Sequence, residues 1–269
     1  MRVLTQIGGL MKAQDFINQL RSHGKYCFTV SDAEKALGLS KIATLNALKR
    51  LKPAIASPAR GFYLIVPPEY QVLGCLPADM FIQDLIEYLE LPYYVGFLSA
   101  AQYYGAAHQK PQRFQIVTSR NRRPIKCGRV YIEFIANKNI AQSATKKFNT
   151  STGVISIATP ETLAIDLVTA VQRAAGINNV ATVLTELAES INSKTLIERA
   201  KASSEMFWVQ RLGYLFDQLS LDELSNALFE VIKEKKLHWV KLVPESSYKV
   251  LARNSKWKII INTEVEPDE

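Results

Sequence analysis

Asn46, Lys49 and Arg50 are the residues whose types and spacing best fit a defined chemistry. Asparagine offers a donor and an acceptor that match the edge of adenine, and arginine offers a fork that suits guanine or a phosphate. Ser40 and Lys41, suited to phosphate oxygens, precede them, and Arg60, suited to a phosphate or the minor groove, follows. This is chemistry of recognition, not of catalysis. His23, His108 and His238 are far apart, and none lies beside a nucleophile signature. The chain has no P-loop, no GxGxxG and no HExxH. Glu133 stands near an arginine-rich segment, where a nuclease carboxylate would be useful. However, the run Glu133 to Lys138 lacks the acidic-x-Lys spacing common in metal-dependent nucleases. A glutamate on a strand is expected to be an exposed pairing residue. The reading is therefore of a protein that is not an enzyme, with no catalytic residue, no cofactor and no metal. A nucleic-acid-processing enzyme working through the basic segment stays open as a competing class.

The elements that must position these residues are legible between Phe28 and Leu51, FTVSDAEKALGLSKIATLNALKRL. Ser31 and Glu34 have capping-box spacing, and Ala33, Ala36 and Leu37 give a short helix an apolar face. Gly38 supplies a permissive turn, and Leu39 can anchor it in the core. Ser40 is a good N-cap for a second helix to about Leu51. Leu45, Leu48 and Leu51 are expected to form its buried stripe, leaving Asn46 and Arg50 outward with Lys49 at the edge. Ile55 to Val66 then reads as a hairpin with Ser57-Pro58-Ala59-Arg60-Gly61 at its tip. Leu10 to Leu20 supplies a leading helix. Helix, helix-turn-helix and hairpin in that order predict a winged helix-turn-helix, with Asn46, Lys49 and Arg50 on a helix laid in a major groove.

Charge agrees with a polyanionic partner. The net charge is +8 and the pI is about 9.3, which favours such a partner without naming it. Lys41, Lys49, Arg50, Lys52 and Arg60 make one cluster; Lys110, Arg113, Arg120, Arg122, Arg123, Lys126 and Arg129 make a second. No acidic residue interrupts the second, which is read as a solvated loop or as a polyanion-binding surface. Cys27, Cys75 and Cys127 form no CxxC pair, so inert thiols in a reducing cytoplasm are expected rather than zinc or disulfides. No signal peptide is read at the N-terminus. The longest uncharged stretch, Leu91 to Ala107, is too polar to span a membrane.

After Pro67-Pro68 a second core is expected. Met80 to Leu89 reads as a helix, and Pro92 as the start of another, whose aromatic stripe is read as core. Phe114 to Thr118, Val130 to Ile135 and Val154 to Ala158 read as strands. Thr159-Pro160 has the chemistry of an N-cap and first helical residue for a helix over Glu161 to Ala174, with Asp166 expected to be solvated. Helices fill Asn178 to Lys236, and Trp257 to Ile261 reads as a terminal strand. The fold class is thus α+β: residues 1–75 a winged helix-turn-helix, and residues 76–269 a larger α/β domain with a small sheet and several helices.

The order of these parts resembles one family. The winged segment is followed by LSAAQYYGAA (Leu98 to Ala107), a strand, an Arg-rich segment and TPETLAIDLV (Thr159 to Val168). This is similar to the AbiEi antitoxins, also described as transcriptional regulators of viral defence systems, with Thr162, Leu163 and Asp166 at the family's threonine, leucine and aspartate. Tyr104 stands where a histidine is usual before the glycine. The resemblance implies a cytoplasmic bacterial antitoxin of a type IV (abortive infection) toxin–antitoxin pair. Its winged domain would bind inverted repeats in double-stranded promoter DNA and repress the operon. Its C-terminal domain would counter a nucleotidyltransferase-like toxin without needing a stable complex. The competing reading is a winged-helix repressor with a ligand-sensing or dimerising C-terminal domain.

Overall fold

The structure is a computed structural model, and it describes residues 11–107, 111–246 and 250–266. Leu10, His108 and Lys110 of the sequence reading lie outside the described residues. The fold is mixed α+β with helices and several small sheets. Two units divide the chain: Met1–Tyr94, Gln112–Ile140 and Lys147–Ser156 form the first; Val95–Pro111, Ala141–Lys146 and Ile157–Glu269 form the second.

The first unit opens with α1 (Ala13–Ser22), β1 (Cys27–Thr29), α2 (Val30–Leu37), α3 (Lys41–Lys49), β2 (Ile55–Ala59) and β3 (Phe62–Ile65). The three strands form one antiparallel sheet in the order β1-β3-β2. Phe16 and Ile17 of α1, Ala33 and Leu37 of α2, Leu48 of α3, and Phe28, Ile55 and Ile65 of the strands close a common core. Phe16 meets Phe28 edge to face at 5.3 Å, and Phe28 stacks on Tyr63 at 5.5 Å. Such pairs add about 1 kcal/mol each beyond their buried area. Leu39 packs against this core, as its place in the turn suggested.

Two local expectations need correction here. The capping box is Thr29 with Asp32, not Ser31 with Glu34. β1 runs into α2 without a linker, so the helix starts earlier and buries Val30. The buried face of α3 is Thr44 with Leu48; Leu45 is exposed and Leu51 only half-buried. A leucine repeat every third residue drifts round a helix of 3.6 residues per turn, and the core selects the Thr44–Leu48 pair instead.

The chain continues through α4 (Ile82–Tyr88), β4 (Tyr93–Val95), α5 (Phe97–Ala101), β5 (Phe114–Thr118), β6 (Ile125–Cys127), β7 (Val130–Ala136), β8 (Thr145–Asn149) and β9 (Val154–Ala158). A six-stranded sheet has the order β6-β7-β5-β4-β9-β8. β5 runs parallel to β7, and β6 antiparallel to it. The single helix expected from Pro92 is instead a strand followed by a helix. Tyr93-Tyr94-Val95 are strand-forming types, Val95 pairs with Ile157, and extended Gly96 separates them from α5. Ile125 and Cys127 of the basic segment are buried in β6, so that segment is not simply a solvated loop. β8 carries Lys146 and Lys147 on a largely exposed strand, a pattern with no apolar alternation to reveal it.

The second unit is mainly helical: α6 (Pro160–Thr169), α7 (Ile177–Leu187), α8 (Ser193–Ala202), α9 (Phe207–Gln218) and α10 (Asp222–Ile232), then β10 (Val240–Lys241), β11 (Ala252–Asn254) and β12 (Ile259–Ile261). The Thr159 side chain caps α6, and Pro160 takes the first turn. α6 packs against α5, α7 and α9 and is buried nearly all round, Asp166 included, which corrects its expected solvation. Gly213 of α9 lies under the buried Trp257 ring, where an added Cβ would sit 2.2 Å from ring carbon. Trp257 Nε1 donates to Asp217 at 2.6 Å, and Lys256 and Ser225 donate to the same carboxylate. Burial opposes its ionisation, yet these hydrogen bonds and the Lys256 charge together hold Asp217 below the usual carboxylate range.

Candidate nucleic-acid interface

α3 begins at Ser40, whose hydroxyl accepts from the Ala43 backbone at 3.5 Å, so Ser40 is engaged as a cap. Gly38, at φ 64°, makes the left-handed turn between α2 and α3. With Thr44 and Leu48 facing the core, the opposite face carries Ile42, Asn46, Lys49 and Arg50, all exposed. Lys41 is exposed beside them, and the helix holds no acidic residue. Donors, an amide and cations therefore project together from one helix, as the sequence anticipated, and the exposed Ile42 and Leu45 accompany them.

The hairpin β2–β3 presents Arg60 and Gly61 at its turn, with Arg60 exposed. Several bonds fix its direction. The Val30 backbone N–H donates to the Gly61 carbonyl at 2.9 Å, tying the turn to the start of α2. The Ser57 hydroxyl lies 2.9 Å from the carbonyls of both Ala59 and Phe62, inside the bulged part of β2. Tyr88, at the end of α4, donates its hydroxyl to the Arg60 carbonyl at 2.9 Å, and its ring packs on Phe62 at 5.3 Å. Gly61 has φ 83°, and a Cβ there would meet the Tyr88 oxygen at 2.7 Å. Sequence reasoning missed Tyr88. An isolated tyrosine near the end of a predicted helix carries no signal that it pins a turn 28 residues earlier.

Between α3 and the hairpin lies a cleft of about 560 Å³, lined by Thr29, Ser31, Glu34, Lys41, Leu45, Arg60, Tyr63 and Tyr88 among others. Lys41 stands on its helix side and Arg60 on its hairpin side. Asp32 is occupied with the Thr29 cap, and Glu34 is the carboxylate that lines the cleft. Two cations flanking a groove beside an exposed amide suit a polyanion backbone with base edges next to it.

The second basic cluster is dispersed over β5, β6, β7 and their connections. Arg113, Arg120, Arg123, Lys126 and Arg129 are exposed and Arg122 is half-buried. Arg113 pairs with Glu133 at 3.6 Å and lies over the Tyr131 ring, and Arg122 lies over Phe134. Glu133 is buried on β7, where it accepts from Gln115 at 3.3 Å, so it is not the exposed pairing residue expected. β7 is flanked on both sides, by β5 and β6, which accounts for the burial. β6 packs against β2, bringing this cluster beside the hairpin. Cys75 and Cys127 are buried free thiols; the neighbouring Cys127 and burial raise Cys75 well above the usual thiol range. Among the described residues no three His, Cys, Asp or Glu side chains converge as metal ligands. No helix among them is long and apolar enough to cross a membrane.

The segment Thr159 to Val168 is bonded to other parts of the chain. Thr162 donates to the Ala144 carbonyl at 2.8 Å and accepts from Arg199 at 2.5 Å, while Glu161 accepts from the Asn192 backbone at 2.8 Å. Tyr104 donates to the Ala158 carbonyl at 2.7 Å, and burial first, then Glu161, pushes its pKa up to about 12.

Residues 94–218 match the family model of the AbiEi antitoxin C-terminal domain. The fold is similar to the crystal structure of the RV2827C protein from Mycobacterium tuberculosis, with a TM-score of 0.68 and 15% identity over 92% of this chain and 90% of that one. No curated protein matches the sequence.

Proposed function

We propose, because residues 94–218 match the family model of the AbiEi antitoxin C-terminal domain, that this chain is the antitoxin of a type IV toxin–antitoxin pair that also represses its own promoter. In this reading the first elements are a winged helix-turn-helix: α2 and α3 are its two helices and β2–β3 its wing. Residues 1–75 carry DNA recognition and residues 76–269 the antitoxin function, with the wing braced by Tyr88 from beyond that functional boundary. Asn46 and Arg50 read base edges, Lys41, Lys49 and Arg60 contact phosphates, and the Ser40-capped helix start approaches the backbone. The partner is double-stranded promoter DNA with inverted repeats, and the toxin is a nucleotidyltransferase-like enzyme that need not bind stably.

The family match over residues 94–218 is the observation that carries the antitoxin reading. For DNA, the support is the acid-free outer face of α3 beside the braced hairpin. Co-expression with the product of the adjacent gene tests the first. Growth should be rescued from that gene's toxicity, and rescue should survive Asn46→Ala with Arg50→Ala. Absence of rescue by a folded chain would contradict it.

A further inference from the structure

Ile42 is 74% exposed and Leu45 38% exposed, both on a nine-residue helix. Single exposed apolar residues are ordinary, but these two have a particular setting. Ile42 lies one turn before Asn46 on the same outward face, and Lys49 follows Asn46 on that face by three residues. Lys41 precedes Ile42, and Lys41 and Leu45 both line the cleft that ends at Arg60. No carboxylate is present on α3. An exposed apolar side chain flanked by cations and an amide fits poorly against another protein's apolar face. It fits a surface that is densely anionic and yet offers isolated methyl groups. Duplex DNA is such a surface: phosphates line the major groove, and thymine alone projects a C5-methyl into it.

We infer that Ile42 is a specificity residue that reads thymine C5-methyl groups, with Leu45 at the cleft edge supporting the same contact. This rests on the reading of α3 as the helix that enters the groove. Asn46 beside Ile42 suits adenine, so the preferred step pairs an adenine read by the amide with a neighbouring thymine read by the methyl contact. Ile42 is a positioning-free contact: it touches base, whereas Lys41 and Lys49 supply affinity indifferent to sequence.

The test removes only the methyl group. The promoter fragment upstream of the chain's own gene is amplified with dTTP or with dUTP, and the full-length protein is titrated against both. Burial of a single methyl predicts about a fourfold preference for the thymine form per contacted base. Ile42→Ala should lower affinity for the thymine form and abolish the preference, while leaving the salt dependence unchanged. Ile42→Val, which keeps a branched apolar side chain, should retain most of the preference. Because Ile42 is exposed, neither variant should perturb folding, which circular dichroism checks. Equal affinity of the wild-type protein for both fragments, with promoter binding intact, would overturn the inference and leave the DNA-binding reading standing. A preference that persists in Ile42→Ala would assign methyl reading to another residue and overturn it too. Failure to bind either fragment would remove the underlying reading, and the inference with it.

Discussion

If the proposed DNA reading holds, loosening the Tyr88 brace should weaken promoter binding without altering Lys41, Asn46, Lys49, Arg50 or Arg60. Tyr88→Phe removes one hydrogen bond, the hydroxyl donating to the Arg60 carbonyl at 2.9 Å. A typical bond contributes about 1 kcal/mol net. The carbonyl lies at an exposed turn and regains water, so the loss should fall near about 0.5 kcal/mol, a factor of about 2 in the pinned population. Tyr88→Ala also removes the ring that packs on Phe62 at 5.3 Å. With an aromatic pair at about 1 kcal/mol and some lost burial, the total approaches about 2 kcal/mol, or about 30-fold. A looser tip must be ordered on binding, so promoter affinity should drop by up to these factors. If Arg60 no longer engages its phosphate, the slope of log affinity against log salt should flatten by about 0.9. Fluorescence anisotropy with a promoter duplex across a salt series reads both quantities. A Tyr88→Ala protein with native circular dichroism, unchanged affinity and unchanged slope would refute the idea that the brace serves recognition.

Further predictions concern other parts of the chain. Thr44 Oγ1 is buried on α3 with no hydrogen-bond partner among the described residues, so Thr44→Val should raise stability by about 1 kcal/mol in denaturant titrations and leave promoter binding unchanged. Asp217 titrates below its unfolded value of 3.8. Its contribution to stability is therefore complete above that pH and is lost as the pH falls through the folded value; Asp217→Asn should flatten the acid limb of a plot of Tm against pH. Replacing the exposed Arg120 and Arg123 by alanine should spare folding, since exposed charges contribute little. Parallel promoter and rescue assays assign the cluster: lost repression marks a DNA contact, lost rescue an antitoxin surface, and no change in either a solvated segment.

Local chemistry was legible where one residue type decides the structure. Thr159-Pro160 starts α6, Gly38 makes the turn, and Phe114–Thr118 and Val154–Ala158 are strands with the bounds their composition suggested. Errors arose where the core chose between equivalent patterns. Thr44 took the place expected of Leu45 because only the fold fixes which helical face turns inward. Tyr93–Val95 read as helix because its strand partner, Ile157, lies 62 residues further on than Val95. Glu133 and Asp166 read as solvated because a single sequence does not reveal which elements cover a carboxylate. For the candidate site, Asn46, Lys49, Arg50 and Arg60 were each found exposed, but the Tyr88 brace and the outward Ile42 emerged only from the packing.

The most direct test of DNA recognition by α3 is the affinity of the full-length protein for its own promoter, measured for the wild type and for Asn46→Ala with Arg50→Ala. Both side chains are exposed, so the variant should fold normally. Loss of about 1–3 kcal/mol for each base contact predicts a fall of at least about 30-fold at fixed salt for the pair. A folded double variant that binds the promoter as tightly as the wild type would contradict the account.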